Sequence, residues 1–433
     1  MSAAPYGRYK YSDVAGLDNL PEHWTISRLA FEAWVRARLG WKGLKSEEYT
    51  DEGYALLATP NIKGNYIDFI NVNYIDQFRY DESPEIKLSC GDVLLAKDGS
   101  TLGTVNVVRK LPVQSTVNSS IAVITPYGNI NSVYLYYLFQ SSYMSNTIQR
   151  IKGGMGVPHL FQADLSKFKI PLPPTSEQIQ IAAFLDRETA KIVALVEEQK
   201  RLIELLNEKV GALVLSTLDS TRVRKVRLGV AGSVISRPVV QEDGVFYTAL
   251  GLLNRGRGLF HKDPRDKSEM GDSDFYWIEE GDFIISGQFA WEGAVALAGK
   301  EETGCVVSHR YPVLRGKAGE ALTEYLYALF LTKHGTHLLG ENSRGAAGRN
   351  RPLNINSLMK ETILLPDLET QTNVARAVHW RSRAASEITE QVALLNERKI
   401  ALISAAVTGK IDVRGIMAEE VCSADSIKQA ALA

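Results

Sequence analysis

Residues 170–178 read IPLPPTSEQ, an apolar, strand-like end followed by a proline stop and the polar start of a long helical pattern. Residues 363–371 read ILLPDLETQ and repeat the same arrangement in the second half of the chain. A strand end, a proline stop and a helix start that occur twice in the same order predict two copies of one structural unit.

Four further blocks recur in the same order in both halves of the chain. The segment GDVLLAKDGSTLG from Gly91 matches GDFIISGQFAWEG from Gly281, and YLYYLF from Tyr134 matches YLYALF from Tyr325. A glycine-rich loop and the run LLNE also recur. Because chance matches would not stay in register over separate blocks, the sequence predicts an internal duplication. Each copy contains short strands, a core-facing helix, a polar loop, a strand and a long helix.

Both copies end in a helical segment with a narrow apolar stripe between charged residues, a pattern typical of coiled coils. The alternative is an ordinary amphipathic surface helix. Since the simplest partner for one stripe is the other, we expect an antiparallel pair. The predicted seam residues are Leu185, Ile192, Leu195, Leu202, Leu206 and Leu213 in the first helix and Val374, Val378, Ile388, Val392, Leu395 and Leu402 in the second.

The predicted fold is therefore α+β, with two duplicated globular domains joined by two long helices that form an antiparallel coiled coil. The predicted boundaries are a first globular domain at 1–175, a spacer helix at 176–220, a second globular domain at 221–366, a second spacer helix at 367–415 and a tail at 416–433 whose composition permits disorder.

Composition limits the class of protein. The chain has 433 residues, of which 45% are hydrophobic, enough for two or three globular domains. Its three cysteines are far apart, which favours a reducing, cytoplasmic setting, and no segment has the length and apolar character of a signal peptide core or a membrane span. The net charge of -1 argues mildly against a protein that coats nucleic acid everywhere but permits local basic surfaces.

The duplicated unit, its GD segment, its proline stop before a helix and the segment ALISAAVTGKIDV near the end together resemble the specificity subunit of type I DNA restriction-modification enzymes. The resemblance runs from about Leu20 to about Val413. It implies two target recognition domains, each of which reads one half of a split DNA target, with the helices as spacer. The second copy departs from the first in having Thr370 in place of Glu177 and GQFAWEG in place of DGSTLG.

The resemblance also implies partners: double-stranded DNA, two methyltransferase (modification) subunits that bring S-adenosylmethionine, and motor-nuclease (restriction) subunits that bring ATP and magnesium. For this chain we expect no catalytic role, no cofactor and no metal. In agreement, the sequence contains no GxxxxGK[ST] loop for ATP and no Asn-Pro-Pro-aromatic motif for adenine methylation. A single-chain restriction or methylation enzyme is therefore disfavoured.

Candidate DNA contacts follow from residue chemistry. The glycine-rich segments 150–169 and 342–352 each carry a net charge of +3, suited to phosphates, and the turns after the GD strands carry polar side chains that can reach base edges. The alternatives are solvated basic loops, a structural role for His159 and ordinary packing for Trp291. The candidates are Lys97, Ser100, Thr101, Arg150, Lys152, His159, Gln288, Arg344, Arg349 and Arg351.

A different class of function stays open at this point, namely a coiled-coil adaptor whose duplicated domains bind proteins. The DNA hypothesis requires a basic concave face that spans both loops, 150–169 and 342–352, whereas the adaptor hypothesis predicts an apolar patch. A paired length of about 35 residues would give a spacer of roughly 50 Å at 1.5 Å per residue. That length suffices for two domains in major grooves roughly 34 Å apart.

Overall fold

The computed structural model describes residues 4–38, 46–151, 159–218, 223–271, 273–343, 345 and 351–415. These residues divide into two compact units. Unit 1 runs up to Val193 and resumes at Leu395, and unit 2 runs from Ala194 to Leu394. Among the described residues, no helix has both the length and the apolar character needed to cross a membrane.

Unit 1 contains eleven described strands, five short helices and part of a long helix. The strands are β1 (Tyr9–Tyr11), β2 (Asn19–Pro21), β3 (Thr25–Arg28), β4 (Ala33–Arg36), β5 (Tyr54–Leu57), β6 (Asn73–Ile75), β7 (Val93–Ala96), β8 (Val105–Val107), β9 (Ser115–Val117), β10 (Ile121–Pro126) and β11 (Lys169–Leu172). The helices are α1 (Leu29–Glu32), α2 (Gln77–Asp81), α3 (Ser132–Gln140), α4 (Ser142–Ile151), α5 (Gln162–Leu165) and α6 (Thr175–Thr217).

The centre of unit 1 is an antiparallel sheet with the strand order β4-β10-β7-β8. Every residue of β7 is buried, because the strand is covered on both faces. Val93 and Leu95 belong to the core that includes α3, whereas Leu94 belongs to a second core that includes Leu57 of β5. The continuous apolar run VLLA is the sequence signature of this two-sided burial.

Unit 2 repeats the central sheet on a second set of elements. The strands are β12 (Arg224–Arg227), β13 (Gly232–Ile235), β14 (Leu250–Leu253), β15 (Gly258–His261), β16 (Phe275–Trp277), β17 (Phe283–Ile285), β18 (Val295–Leu297), β19 (Val306–Ser308), β20 (Val313–Gly316) and β21 (Thr362–Leu365). The helices are α7 (Leu228–Ala231), α8 (Lys267–Met270), α9 (Thr323–Phe330), α10 (Lys333–Glu341), α11 (Ile355–Leu358) and α12 (Leu368–Val407).

The sheet of unit 2 has the order β13-β20-β17-β18, which corresponds strand by strand to the sheet of unit 1. The additions to this sheet differ. Unit 1 adds a three-stranded sheet, β6-β5-β9, while unit 2 adds the separate pairs β14-β15 and β16-β19. In each unit the last short strand pairs with an early one, β11 with β3 and β21 with β12.

Each of the repeated motifs at 170–178 and 363–371 ends in a glutamine, and in both units this glutamine is buried and hydrogen-bonded to the backbone. Gln178 accepts a hydrogen bond from the Asn131 backbone N at 2.7 Å and donates to the carbonyls of Asn129 (2.8 Å) and Pro173 (2.9 Å). Its side chain is fully buried. All of its amide groups are thus used to join the start of α6 to the loop before α3.

Gln371 makes the equivalent contacts at the start of α12. It accepts from the Leu322 backbone N at 2.8 Å and donates to the carbonyls of Glu320 (3.3 Å) and Pro366 (2.8 Å). The same polar group therefore fixes the same junction twice, which explains why the helix start and the proline stop recur together in the sequence.

Glu177 explains the difference between the two motifs. Its buried carboxylate accepts hydrogen bonds from the Tyr6 hydroxyl (2.5 Å) and from Trp24 Nε1 (3.0 Å), and it contacts His23 Nε2 at 2.7 Å. Burial and the hydrogen bond to Glu177 raise the pKa of Tyr6, so that its hydroxyl remains a donor. The carboxylate thus secures the N-terminal segment of unit 1, whereas in unit 2 Thr370 N donates to Asp367.

Within unit 2 the two long helices run antiparallel. Ile203 and Leu206 of α6 share a core with Ile388 of α12. Further along α6, Val210 and Val214 share a core with residues nearer the start of α12, Val374 and Val378. The order of the partners is therefore reversed between the helices. We call residues 194–217 and 368–394 the helix pair of unit 2.

The predicted seam needs correction at three positions on α6. Leu195, Leu202 and Leu213 are 45%, 42% and 36% exposed, and the neighbouring Val196, Ile203 and Val214 are buried instead. One residue turns an α-helix by 100°, so when apolar residues are adjacent, periodicity fits either of two faces. Leu185, Ile192, Leu206, Val374, Val378 and Ile388 are buried, and Val392, Leu395 and Leu402 are half-buried.

The final turns of each long helix lie in a globular core, whereas the predicted boundaries assigned each whole helix to a spacer. In unit 1, Ile403 and Val407 of α12 lie in the same core as Leu185 of α6 and Tyr134 of α3. In unit 2, Val210 and Val214 of α6 lie in the main core. Each long helix is therefore divided between the two units, because its final turns complete a core that its own sequence repeat does not supply. The predicted tail at 416–433 lies outside the described residues.

Candidate nucleic-acid interface

The aspartate of the first GD segment is a structural anchor. Asp92 is buried and accepts hydrogen bonds from Thr125 Oγ1 (2.5 Å), Arg36 Nη2 (2.8 Å) and the Ser89 backbone N (2.8 Å). Gly91 before it has φ +93°, a left-handed conformation that glycine adopts without strain. The segment therefore turns the chain into β7 and ties that strand to β4 and β10.

The second GD segment has the same construction with a different cation set. Asp282 is fully buried and accepts from Arg237 Nη1 (2.8 Å), Arg315 Nε (2.6 Å) and the Glu279 backbone N (2.9 Å). The arginines that pair with these aspartates are not among the residues predicted from the sequence. The repeated GD segment indicated that a buried aspartate needs a partner in each unit. The partners could not be found by aligning the repeats, because Arg36 lies on β4 and Arg315 lies on β20, which corresponds to β10.

In unit 1 the turn that follows β7 lies beside the segment that starts at His159. The Leu160 backbone N donates to the Lys97 carbonyl at 2.9 Å, and His159 Nδ1 contacts the Asp98 carboxylate. The His159 ring also packs edge-on against Phe161, with 4.6 Å between ring centroids. Two predicted segments that are far apart in sequence are therefore joined at one place.

The side chains of this turn differ in accessibility. Lys97 is 12% exposed and its Nζ lies 3.7 Å from Asp98, so the lysine is largely committed within the protein. Ser100 is exposed and Thr101 is half-buried, with its hydroxyl donating to the Asp98 carbonyl at 3.4 Å. The Asp98 carboxylate, which contacts His159, is the hydrogen-bond acceptor that this turn offers. An aspartate can accept a hydrogen bond from the amino group of cytosine.

Unit 2 repeats this juxtaposition. The Leu353 backbone N donates to the Gly287 carbonyl at 2.8 Å, which brings the segment starting at Arg351 beside the turn that follows β17. The Arg351 guanidinium lies over the Trp291 ring, 5.1 Å from its centroid. Trp291 thus packs within the unit and also holds the exposed Arg351 guanidinium over its ring. Gln288 occupies the position that matches Asp98, and a glutamine can bind adenine through two hydrogen bonds.

Arg150 lies in a different environment from the turn at 97–103. It lines a cleft with Tyr143, Lys167 and Lys169, and its guanidinium donates to Thr147 Oγ1 at 3.2 Å. Two acidic groups, Asp13 and Asp164, line the same cleft and pair with the lysines. The remaining candidates, Lys152, Arg344 and Arg349, lie outside the described residues.

Comparison with known proteins finds similarity to one family. The family model described as type I restriction modification DNA specificity domain matches residues 42–205. The StySPI specificity subunit of Salmonella potsdam is 20% identical over 86% of this chain and 85% of that protein. The EcoKI specificity subunit of Escherichia coli (strain K12) is also 20% identical, over 86% of this chain and 85% of that protein.

Residues 42–205 are therefore similar to the type I specificity domain, and most of the chain is similar to curated type I specificity subunits. The resemblance inferred from the repeated motifs is thereby confirmed. Among solved structures, the HsdS subunit from Thermoanaerobacter tengcongensis is 18% identical to this chain, with a TM-score of 0.39 over 90% of this chain and 98% of that one.

Proposed function

We propose that this chain is the non-catalytic DNA-recognition subunit of a type I restriction-modification enzyme and that its two units read the two halves of a split target. One observation carries the proposal. The same pair of segments adjoins in both units through one backbone hydrogen bond, Leu160 to Lys97 and Leu353 to Gly287. The shared scaffold presents different base-reading chemistry, Asp98 in one unit and Gln288 in the other, as two different half-sites require.

We infer that the long helices set the distance between the half-sites. The antiparallel packing within unit 2 supports a coiled coil, and the length of α6, 43 residues, corresponds to roughly 64 Å at 1.5 Å per residue. A spacer of fixed length is needed because each added base pair rotates the second half-site by about 35° around a duplex of about 10.5 base pairs per turn.

We also propose that two methyltransferase subunits and the motor-nuclease subunits assemble on this chain, bringing S-adenosylmethionine, ATP and magnesium. The exposed leucines of α6, Leu195, Leu202 and Leu205, support a docking role for the helix, since single exposed leucines are common but a row on one element marks a contact surface. In this proposal the chain supplies recognition and its partners supply the chemistry.

One observation favours the adaptor alternative. Phe31, Trp34 and Tyr127 of unit 1 are each more than half exposed, and the Tyr127 hydroxyl donates to the Ala30 carbonyl beside Phe31. An exposed aromatic patch suits a protein partner. It is compatible with subunit docking in a type I enzyme as well, so the methylation experiment below distinguishes the two functions.

The decisive experiment is to co-express the chain with its cognate methyltransferase and to map methylated adenines by single-molecule sequencing. We expect a motif in two parts with a constant gap. Replacing residues 221–366 by the corresponding segment of a relative should change one part only, and so assign that half-site to unit 2. A continuous motif, or a change in both parts, would contradict the proposal. An active methyltransferase that yields no motif would favour the adaptor.

Arg351 provides a residue-level prediction. In the assembled complex, Arg351→Ala should weaken DNA binding and reduce the slope of log K against log[salt] by about one, because one phosphate-binding cation is lost. The matched control is Arg224→Ala, which removes the same charge from an exposed pair with Glu320 in the same unit. Fluorescence anisotropy across salt concentrations measures both. Equal slopes for the two variants would exclude Arg351 from the interface.

A further inference from the structure

The tip of the β14-β15 hairpin, residues 254–258 with the sequence NRGRG, has an unusual backbone. Arg255 has φ +60°, and it is the single non-glycine residue with a positive φ in the described part of the chain. Gly256 follows with φ +62°, and a Cβ there would collide with Leu331. A non-glycine residue in this conformation persists only where its surroundings hold it.

The surroundings are two buried polar side chains from the helix pair of unit 2. Asn207 of α6 donates through Nδ2 to the Arg255 carbonyl (3.0 Å) and to the Gly256 carbonyl (3.3 Å). Arg381 of α12 donates through Nε to Asn207 Oδ1 (2.8 Å) and through Nη2 to the Gly256 carbonyl. Asn207 and Arg381 are 7% and 3% exposed.

Arg381 has an uncommon charge environment. Among the described residues no carboxylate forms a salt bridge with it, and its guanidinium lies 6.0 Å from the Tyr327 ring centroid. Burying a guanidinium is costly, and its retention needs a compensating role. Here the Arg381 guanidinium faces the partial negative charge of backbone carbonyls at the hairpin tip. The buried charge of Arg381 is therefore stabilised by the hairpin tip.

The hairpin tip is joined in turn to the turn that carries Gln288. The Arg255 backbone N donates to the Glu292 carbonyl (3.1 Å), and the Gly256 N donates to the Gly293 carbonyl (2.9 Å). The Asn254 side chain also donates to the Glu292 carboxylate. A continuous chain of hydrogen bonds therefore connects the helix pair to Glu292 and Gly293, the last two residues of the turn at 287–293.

This arrangement is specific to unit 2 and is not part of the repeated scaffold. In the repeated LLNE run, Asn396 takes the place of Asn207, and it is exposed. Counting ten residues from each helix-start glutamine, Glu188 takes the place of Arg381, and it pairs with Lys191 at the surface. A feature present in one copy alone serves that copy rather than the shared fold.

We propose that Arg381 is a positioning residue for DNA reading by unit 2, acting through Asn207 and the hairpin tip to fix the turn at 287–293. The proposal rests on the proposed function, since it concerns how one half-site is read. It follows that removing Arg381 affects the half-site of unit 2 and leaves the half-site of unit 1 unchanged.

The test uses the complete methyltransferase complex and two variants. Arg381→Met removes the donors while keeping side-chain length. The double variant Asn207→Leu with Arg381→Leu removes both side chains together, so that neither is left buried without the other. Initial methylation rates are measured on the cognate duplex and on duplexes with one mismatch in either half. Arg383→Met, on the exposed side of α12, is the matched control.

We expect both variants to lose about tenfold in discrimination against mismatches in the half-site that the exchange of residues 221–366 assigns to unit 2, with discrimination in the other half as in the wild type. Full discrimination in either folded variant would overturn the proposal, and so would an equal loss in both halves, which indicates a merely structural role. A wild-type complex without a two-part motif would instead refute the proposed function.

Discussion

Asp92→Ala is expected to lower the free energy of unfolding of unit 1 by about 3–5 kcal/mol, because it leaves a buried arginine without its counter-charge. Arg36 Nη2 and Asp92 Oδ2 are 2.8 Å apart, and both side chains are more than nine-tenths buried. Thr125 and the Ser89 backbone N lose an acceptor at the same time. Chemical denaturation followed by near-ultraviolet circular dichroism measures the change.

The control for this effect is Asp81→Ala, which removes an aspartate that pairs with Lys87 in the same unit but is exposed. Exposed pairs contribute little to stability, so the midpoint should stay within error. Comparable losses for the two variants would show that the buried position of Asp92 is not what makes the GD segment recur.

Gln178→Ala and Gln371→Ala are expected to have the next largest effects, each about 2–4 kcal/mol, and each in its own unit. Each substitution leaves one backbone N and two carbonyls at a helix start without their partner, and such groups are expensive to leave buried and unpaired. Hydrogen exchange followed by mass spectrometry should report faster exchange at 129–135 and 173–181 for the first variant and at 320–326 and 366–374 for the second.

Gln391→Ala, an exposed position on α12, is the matched control and should leave exchange in both regions unchanged. If either buried variant exchanged like the control, the repeated glutamine would have no stabilising role. The recurrence of the motif at 170–178 and 363–371 would then need another explanation.

The sequence supported several predictions about local structure because the relevant signals are local. A proline stop followed by a polar residue and a long apolar period predicted helix starts near 176 and 367, and the helices begin at Thr175 and Leu368. The run VLLA predicted a strand, and β7 is buried throughout. These features depend on residues within one or two turns of each other.

The candidate site was predictable only in pieces. Lys97 and His159 were selected separately, one from a turn and the other from a basic loop, and nothing in either segment indicated that the Lys97 carbonyl accepts from Leu160. The same holds for Gly287 and Leu353. Contacts of this kind depend on how strands of one sheet are ordered, which a local pattern does not encode.

The sequence by itself determined that one arrangement occurs twice, because repeated residues in a repeated order need no knowledge of their partners. Tertiary structure alone decided which face of α6 is buried, since Leu195 and Val196 both satisfy the apolar period and packing selects Val196. It also decided that Asn207 and Arg381, charged or polar residues within a coiled-coil pattern, are buried together. The physical reason is that burial and hydrogen bonding are properties of pairs, and the members of these pairs are far apart along the chain.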